Sequence, residues 1–144
     1  MTVVVRIAAR LLLAPVLVFA AAVLVKGYAD VGDGFAAGVI AAMGIVLQYV
    51  ALGHREAERL LPIRFAYRIA LGGLGLGLLV AFVPLLRGAS IFTHSPPAGS
   101  KAVKLGTLEL ITPVLFDLGV FALVVGGIVT ILHMFSRSED REVA

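Results

Sequence analysis

The sequence predicts an all-α integral membrane protein with four transmembrane helices. Of the 144 residues, 60% are hydrophobic and only 15% are charged, whereas soluble domains contain about 25% charged residues. The apolar residues also form four runs, each long enough to cross a hydrocarbon layer of roughly 30 Å as a helix. These two observations favour a single membrane domain that covers residues 1–144.

The first predicted span covers residues 7–25. Arg6 and Arg10 precede its apolar run, which is also the pattern of a secretory signal. The run continues as far as a membrane span requires, and three more apolar runs follow, so an uncleaved helix is favoured. Pro15 lies inside this helix and is expected to kink it.

The second predicted span covers residues 35–52 and follows a short connection, residues 26–34, that is rich in glycine and aspartate. Asp33 lies at the end of this connection, where its carboxylate is expected to cap the backbone amides of the following helix. Gln48 is the polar side chain deep in the span, and we expect it to hydrogen-bond across a helix contact.

The third and fourth predicted spans cover residues 69–86 and 112–134. Residues 53–68 carry Glu and Arg at helical spacing, which predicts a solvated, salt-bridged turn at the membrane surface. Residues 87–111 form the longest connection and are predicted to be an external loop, with a turn at residues 95–100.

The distribution of basic residues predicts the orientation of the four spans. Cytoplasmic loops of membrane proteins carry an excess of Lys and Arg. Eight arginines would lie on the side of both termini, and four basic residues would lie on the other side. Both termini are therefore predicted to be cytoplasmic. The eight are Arg6, Arg10, Arg55, Arg59, Arg64, Arg68, Arg137 and Arg141, and the four are Lys26, Arg87, Lys101 and Lys104.

Small residues recur at helical spacing and predict close helix contacts. In a membrane, small residues at every fourth position let a neighbouring helix approach closely. Pro113, near the start of the fourth span, is expected to shape that helix. We assign helix packing to Gly32, Gly34, Gly38, Gly73, Gly77 and Gly119.

Asp117 lies inside the fourth span and is the acid that is hardest to place in a loop. An ionised carboxylate at membrane depth costs at least about 2.5 kcal/mol, so Asp117 should face protein, water or a counter-charge. Two roles stay open. Asp117 could hold a proton or Na⁺ on an ion path, or it could bond to a helix end or to partner subunits and hold an assembly together. The other candidates for an ion path or a buried polar contact are Gln48, Asp33 and Thr112.

The residue types present do not support catalysis or cofactor binding. The chain has no cysteine, which excludes disulfides, thiolate catalysis and thiolate-bound metal clusters. Its three histidines lie in separate segments without the spacing of a metal site. The net charge of +3 is explained by membrane orientation and requires no nucleic acid. We therefore expect a protein of the lipid bilayer that is not an enzyme and has no cofactor or metal.

Two blocks of the sequence resemble the B subunit of the Mrp-type multisubunit Na⁺/H⁺ antiporters, the MnhB family. The more specific block is the family pattern Thr-Pro-x-Leu-Phe-Asp-x-Gly-Val, which residues 112–120 match. The other pattern is Pro-Gly-Gly-Gly-Phe-x-Gly-Gly. Residues 31–38 match it with three departures, because Val31 replaces Pro and Asp33 and Ala37 each replace a Gly. The resemblance covers essentially the whole chain.

This resemblance implies a small four-helix subunit of a large complex in the plasma membrane of a prokaryote. Such complexes are related to the membrane arm of respiratory complex I and exchange Na⁺, or another monovalent cation, for protons. A B subunit would contact the other subunits, contribute to assembly and to the cation route, and carry no catalytic residues.

Two other functions are compatible with the residues. One is an accessory membrane subunit of a hydrogenase or a related complex-I-like redox complex. Because the chain has no cysteine, the redox centres of such a complex would lie in partner subunits. The other is a stand-alone scaffold or channel oligomer.

Overall fold

The computed structural model describes residues 2–27, 32–60, 63–86, 104–105, 108–109 and 112–142 of the chain. Within these residues the fold is helical, apart from two short strands that pair antiparallel. The elements in chain order are α1 (Val3–Lys26), α2 (Asp33–Leu52), α3 (His54–Leu60), a 3₁₀ turn (Ile63–Phe65), α4 (Ala66–Leu86), β1 (Lys104–Leu105), β2 (Leu108–Glu109) and α5 (Thr112–Glu142).

The four long helices pack side by side in the order α1, α2, α5, α4. Helix α2 runs parallel to α5, since Gly34 faces Asp117 near one end of this pair and Tyr49 packs with Val129 near the other. Helices α1 and α4 run in the opposite direction. We call the end of the bundle with the start of α1, α3 and the last turns of α5 the terminal end. The opposite end, with the start of α5, is the Asp117 end.

The predicted helical class is confirmed, and three helical segments are long and apolar enough to cross a membrane: Val3–Lys26, Asp33–Leu52 and Pro113–Ser136. They coincide with the first, second and fourth predicted spans, although α1 begins a turn earlier than predicted. The apolar part of α4, Ala66–Phe82, is shorter than these three. The third predicted span, residues 69–86, and the cytoplasmic termini therefore stay predictions.

Helix α2 lies between α1 and α5 and is the most buried of the three apolar helices. Its apolar stretch is 56% buried, compared with 11% for α1. Small residues explain this difference, because they allow both neighbours to approach the α2 backbone. On the α1 side, a Cβ atom added to Gly44 would lie 2.7 Å from Cγ1 of Val16.

Helix α3 connects α1 to α5 at the terminal end. Its Glu56 pairs with Arg10 of α1 at 2.5 Å, and its Glu58 pairs with His133 of α5 at 2.6 Å. Ala57 lies between these acids, is fully buried and packs in a cluster with Ile45 of α2. The predicted salt bridges are therefore present and their acids are partly exposed, but their partners lie on α1 and α5, and Ala57 is buried rather than solvated.

The two short strands lie in the predicted external loop, and most of that loop, including its predicted turn at residues 95–100, lies outside the described residues. Helix α5 extends beyond the predicted end of the fourth span, because the charged residues that follow the apolar stretch continue the helix to Glu142. Charged and small polar residues in this tail have sufficient helix propensity to continue an existing helix.

Candidate functional site

Asp117 of α5 is buried within its own chain at the Asp117 end. Its exposed fraction is 3%, and its Oδ2 accepts a hydrogen bond from the backbone N–H of Gly32 at 3.1 Å. Gly32 is the N-cap residue of α2, so the carboxylate lies where unpaired backbone amides and the helix dipole stabilise negative charge. The carboxylate therefore has a partner in this chain before any other protein is considered.

The backbone of Gly32 makes this hydrogen bond possible. Its φ angle is +113°, in the left-handed region that side chains disfavour. A Cβ atom at this position would have open space around it, so the constraint on residue 32 is conformational rather than steric. Glycine is thus favoured here because the chain enters α2 with a positive φ angle.

Asp33 brings a second carboxylate to the same region. A Cβ atom added to Gly27 would lie 3.1 Å from Cβ of Asp33 and 3.2 Å from Oδ2 of Asp117, which shows that both acids approach the end of α1. Nζ of Lys26 lies 3.9 Å from Oδ2 of Asp33, but the Lys26 side chain is 68% exposed. Water therefore screens this pair, and its contribution to stability is small.

The expected capping role of Asp33 is not observed. Gly32 is the N-cap residue and has no side chain with which to cap the amides of α2. Asp33 is the first residue of the helix, where its carboxylate still has a favourable position relative to the helix dipole. Helix α2 therefore begins at Asp33, one residue earlier than a capping role for Asp33 predicted, because Gly32 is the residue that precedes the helix.

Helices α2 and α5 approach each other closely at Gly34, beside Asp117. A Cβ atom at Gly34 would overlap with the backbone carbonyl of Asp117. The two backbones are therefore in direct contact. Because residue 34 has no side chain, the backbone of α5 at Asp117 can pack directly against α2.

One turn further along α2, Gly38 packs against a side chain rather than a backbone. A Cβ atom at Gly38 would lie 2.9 Å from Cβ of Val124 on α5. Gly34 and Gly38 thus form one face of α2, and this face contacts α5.

Replacing Gly38 by leucine is expected to separate α2 from α5 and to reduce the amount of assembled protein in the membrane. Overpacking of this kind costs about 1–3 kcal/mol. The matched control is Ala36→Leu, because Ala36 is exposed on the same helix. The measurement is the yield of folded chain after mild detergent extraction. Equal yields for the two variants would contradict the assigned packing role of Gly38.

The predicted packing glycines of the later spans meet between α4 and α5. A Cβ atom at Gly73 would lie 2.5 Å from the carbonyl oxygen of Gly119, and one at Gly119 would lie 3.0 Å from the backbone nitrogen of Gly77. Gly77 itself has only a distant side-chain neighbour, Phe116 at 4.0 Å from a Cβ atom. Gly73 and Gly119 therefore form the centre of this contact.

Gln48 lies apart from the Asp117 end, at the contact between α2 and α1. It is fully buried, and its Nε2 donates a hydrogen bond to the backbone carbonyl of Ala9 at 2.7 Å. The same Nε2 lies 3.4 Å from the carbonyl oxygen of Gly44. Gln48 thus holds α1 on α2, and the side chain lies nearer the terminal end than Asp117.

Two further predicted residues lie at the start of α5. Thr112 is the first residue of this helix, and the structure does not describe its side chain. Pro113 is buried in the first turn, where its missing N–H breaks no helical hydrogen bond. Pro113 thus starts the helix that positions Asp117.

Two of the contacts that sequence reasoning missed involve α5. One is the approach of Gly126 to α4, where a Cβ atom would lie 2.6 Å from the carbonyl oxygen of Ala66. The other is the pair of Glu58 and His133, which are 75 residues apart in the chain. A glycine doublet at residues 126–127 was a possible signal for the first contact. The second had no local signal, because both residues resemble ordinary interfacial side chains.

The polar groups at the two ends of the bundle are not connected along α2 or α5. Only apolar residues and glycine lie between Asp117 and Thr130 on α5, and the same is true between Asp33 and Gln48 on α2. This stretch corresponds to about 20 Å of helix. Between these polar groups, the contact of α2 with α5 therefore provides no polar side chain for an ion.

The chemistry available at the Asp117 end is that of two neighbouring carboxylates. Carboxylate oxygens can hold a proton, and they are hard ligands that suit alkali and alkaline-earth cations. Within the residues that the structure describes, no three His, Asp or Glu side chains come together in the manner of a metal site.

Comparisons with known proteins agree on one family. The family described as "Domain related to MnhB subunit of Na+/H+ antiporter" matches residues 4–130 of the chain. The B-type Na(+)/H(+) antiporter subunit of Bacillus subtilis (strain 168) is 34% identical over 124 residues, which cover 86% of this chain and 85% of that protein.

Two further relatives extend this similarity. A Staphylococcus haemolyticus protein, provisionally named antiporter subunit mnhB2, is 33% identical over 138 residues, which cover 96% of each chain. A Rhizobium meliloti protein, provisionally named as the A/B subunit of a K(+)/H(+) antiporter, is 36% identical over 131 residues. The match covers 85% of this chain but 12% of the Rhizobium protein, so a much longer polypeptide contains a region similar to this chain.

Proposed function

Because the chain belongs to the MnhB family of Na⁺/H⁺ antiporter subunits, we propose that it is a non-catalytic membrane subunit of a multisubunit monovalent cation/proton antiporter. In this proposal the chain crosses the plasma membrane of a prokaryote four times, with both termini in the cytoplasm. It supports assembly of the complex, and Asp117 lies at the edge of the cation route.

The names of the relatives support the partners and the ions. The proteins of Bacillus and Staphylococcus are named as B-type subunits, which implies that other subunits are present in their complexes. The name of the Rhizobium protein combines the A and B types, which supports an A-type protein as the neighbour of this chain. Na⁺ and K⁺ both occur in these names, so we propose a monovalent cation without specifying which one.

The packing of α4 supports the fourth membrane crossing. Its residue Ala66 lies at the contact with Gly126, and its Gly73 lies at the contact with Gly119, so α4 follows α5 over much of its length in the opposite direction. A helix that is packed this way beside a membrane span would cross the same layer. With four crossings, both termini lie on one side, and the excess of arginines on that side favours the cytoplasm.

The observation that carries the role of Asp117 is its burial against the amide of Gly32 at one end of the bundle. A carboxylate that is both sheltered and close to a helix end can remain in the membrane layer and still exchange a cation or a proton with solvent. Because the contact of α2 with α5 becomes apolar beyond this point, the rest of the route would pass through neighbouring subunits. Lipid would contact the remaining outer faces of the helices.

The proposal is tested by isolating the chain with its partners. A tag on the chain, expressed at its natural level, is used to purify the intact complex in mild detergent, and the co-purified subunits are identified by mass spectrometry. Na⁺- and K⁺-dependent proton movement is then measured in everted vesicles from cells with and without the chain. We expect antiporter subunits in the complex, and loss of cation-dependent proton movement when the chain is deleted.

The outcomes separate the possible functions. Hydrogenase or iron–sulfur subunits in the purified material would support a redox complex instead. The chain isolated alone, as a homo-oligomer, would support a scaffold or a channel. Cation/proton exchange that persists at the normal rate without the chain would overturn the proposal.

A further inference from the structure

The pair formed by Glu58 and His133 lies at the terminal end, opposite Asp117, and has no role in the function proposed above. Nδ1 of His133 lies 2.6 Å from Oε1 of Glu58. The side chain of Glu58 is 31% exposed and that of His133 is 25% exposed, so each is partly shielded while water still reaches it. The pair joins α3 to α5 across 75 residues of sequence.

Both members of this pair follow residues of an apolar cluster in the sequence. Tyr49, Ala57, Ala66 and Val129 belong to one buried cluster, and Leu132 packs against it. The hydroxyl of Tyr49 is buried without a hydrogen-bond partner among the described residues, and it lies within the electrostatic influence of Glu58. The pair is partly shielded from water, so its charge state affects how α3 packs.

We propose that Glu58 and His133 form a proton-binding site that ties α3 to α5 when the proton is present. Imidazole is the side chain that exchanges a proton between about pH 5 and pH 8. The neutral ring of His133 takes a proton from solvent, a new N–H bond forms, and both ring nitrogens then carry hydrogen. Nδ1–H donates to the Glu58 carboxylate in a charge-assisted hydrogen bond, which is about twice as strong as a neutral one.

Release of this proton returns the ring to its neutral form and removes the positive charge that faces the carboxylate of Glu58. The contact between α3 and α5 then weakens. Glu56 continues to hold α3 to Arg10 of α1. The change is therefore a movement of α3 relative to α5, and it occurs at the end of the bundle that carries both termini of the described chain.

The other titratable and charged groups near this pair do not replace either member. The neighbouring acid of α3, Glu56, is engaged with Arg10. From α2, the facing group is the hydroxyl of Tyr49. Further charged or titratable groups on the surrounding elements include His54, Arg55 and Arg59 of α3, Arg137 of α5 one turn beyond His133, and Arg64 and Arg68, whose guanidinium groups lie 5.0 Å and 5.8 Å from the ring centre of Phe65. The carboxylate in contact with Nδ1 of His133 is that of Glu58.

The test measures the distance between α3 and α5 in the full chain in lipid nanodiscs. Because the natural sequence has no cysteine, spin labels can be attached at Arg55→Cys on α3 and Met134→Cys on α5, both of which are exposed positions. We expect a short, narrow distance distribution at pH 5 and a shift to longer, broader distances at pH 8. His133→Gln and Glu58→Gln should each remove this dependence on pH.

Ser138→Ala is the matched control, because the Ser138 hydroxyl bonds to the carbonyl of Phe135 on the same stretch of α5 and does not involve Glu58. It should keep the pH response of the parent chain. The proposal is overturned if the parent chain shows no response to pH, or if the response persists in His133→Gln.

A second measurement does not depend on the fold of these two variants. In a chain with His54→Gln and His94→Gln, His133 is the remaining histidine, and its ¹⁵N imidazole signals report the ring proton directly. These signals should change between pH 5 and pH 8, and constant signals would overturn the proposal. Neither measurement requires ion transport, so their outcomes are independent of the proposed antiporter function.

Discussion

Replacing Gly126 by alanine is expected to destabilise the bundle strongly, whereas the same change at the adjacent Gly127 should have almost no effect. A Cβ atom at residue 126 would lie 2.5 Å from the backbone nitrogen of Ala70 and 2.6 Å from the carbonyl oxygen of Ala66. Backbone atoms of α4 cannot rotate away as a side chain would, so the two helices must separate. Overpacking of this kind costs about 1–3 kcal/mol.

Gly127 is the matched control because it is the adjacent residue on the same helix and receives the same substitution. A Cβ atom there would meet nothing within 4 Å. Differences in helix propensity are therefore the same for both variants. The measurement is the melting temperature of the purified full chain in detergent, together with its level in the membrane. Similar melting temperatures for Gly126→Ala and Gly127→Ala would show that α4 does not pack on α5 as described.

The glycines also show what could be predicted from sequence. The spacing of Gly73 and Gly77 indicated a close helix contact, because small residues at that spacing are typical of membrane helix interfaces. The spacing could not indicate which helix would be the partner. That choice depends on the order α1, α2, α5, α4, which brings together residues far apart in the chain, such as Gly73 and Gly119.

Helix α3 illustrates a different limit. Its sequence is mostly charged, which predicted a solvated segment, yet Ala57 is fully buried. A helix of 7 residues is too short for a periodic apolar face to stand out. Its position is instead set by acids that pair with Arg10 and His133, and such long-range pairs leave no local pattern.

The candidate site could be predicted only in part for the same reason. The apolar environment of Asp117 in the sequence predicted that the acid needs shelter. Its hydrogen bond to the amide of Gly32 was not predictable, because a backbone donor has no signature in the sequence. The positive φ angle that positions this amide is suggested by a glycine but is not specified by it.

Asp117→Asn is expected to leave the complex assembled and to reduce cation/proton exchange by about tenfold or more, which corresponds to roughly 1.4 kcal/mol or more in the barrier. Asparagine has nearly the same size, and its Oδ1 can accept the hydrogen bond that Gly32 donates to the carboxylate. The negative charge and the exchangeable proton are lost. Assembly is measured by co-purification of the partner subunits, and exchange is measured in everted vesicles.

Asp117→Leu separates the structural role of this acid from its role in transport. Leucine cannot accept the hydrogen bond of the Gly32 amide, and the loss of a hydrogen bond to a charged group costs about 1.5–3 kcal/mol. This variant should therefore lower the yield of complex as well as the exchange rate. Asp33→Asn removes the neighbouring and more exposed carboxylate and should affect yield little.

The two Asp117 variants together decide between the two roles of the acid. A route for cations or protons that includes Asp117 requires its charge, so Asp117→Asn must slow exchange even where the complex forms normally. A purely structural role requires only an acceptor for the Gly32 amide, so Asp117→Asn would then exchange ions at the parent rate while Asp117→Leu would not assemble. Full exchange in Asp117→Asn would therefore remove Asp117 from the cation route and leave it as the residue that joins α5 to the start of α2.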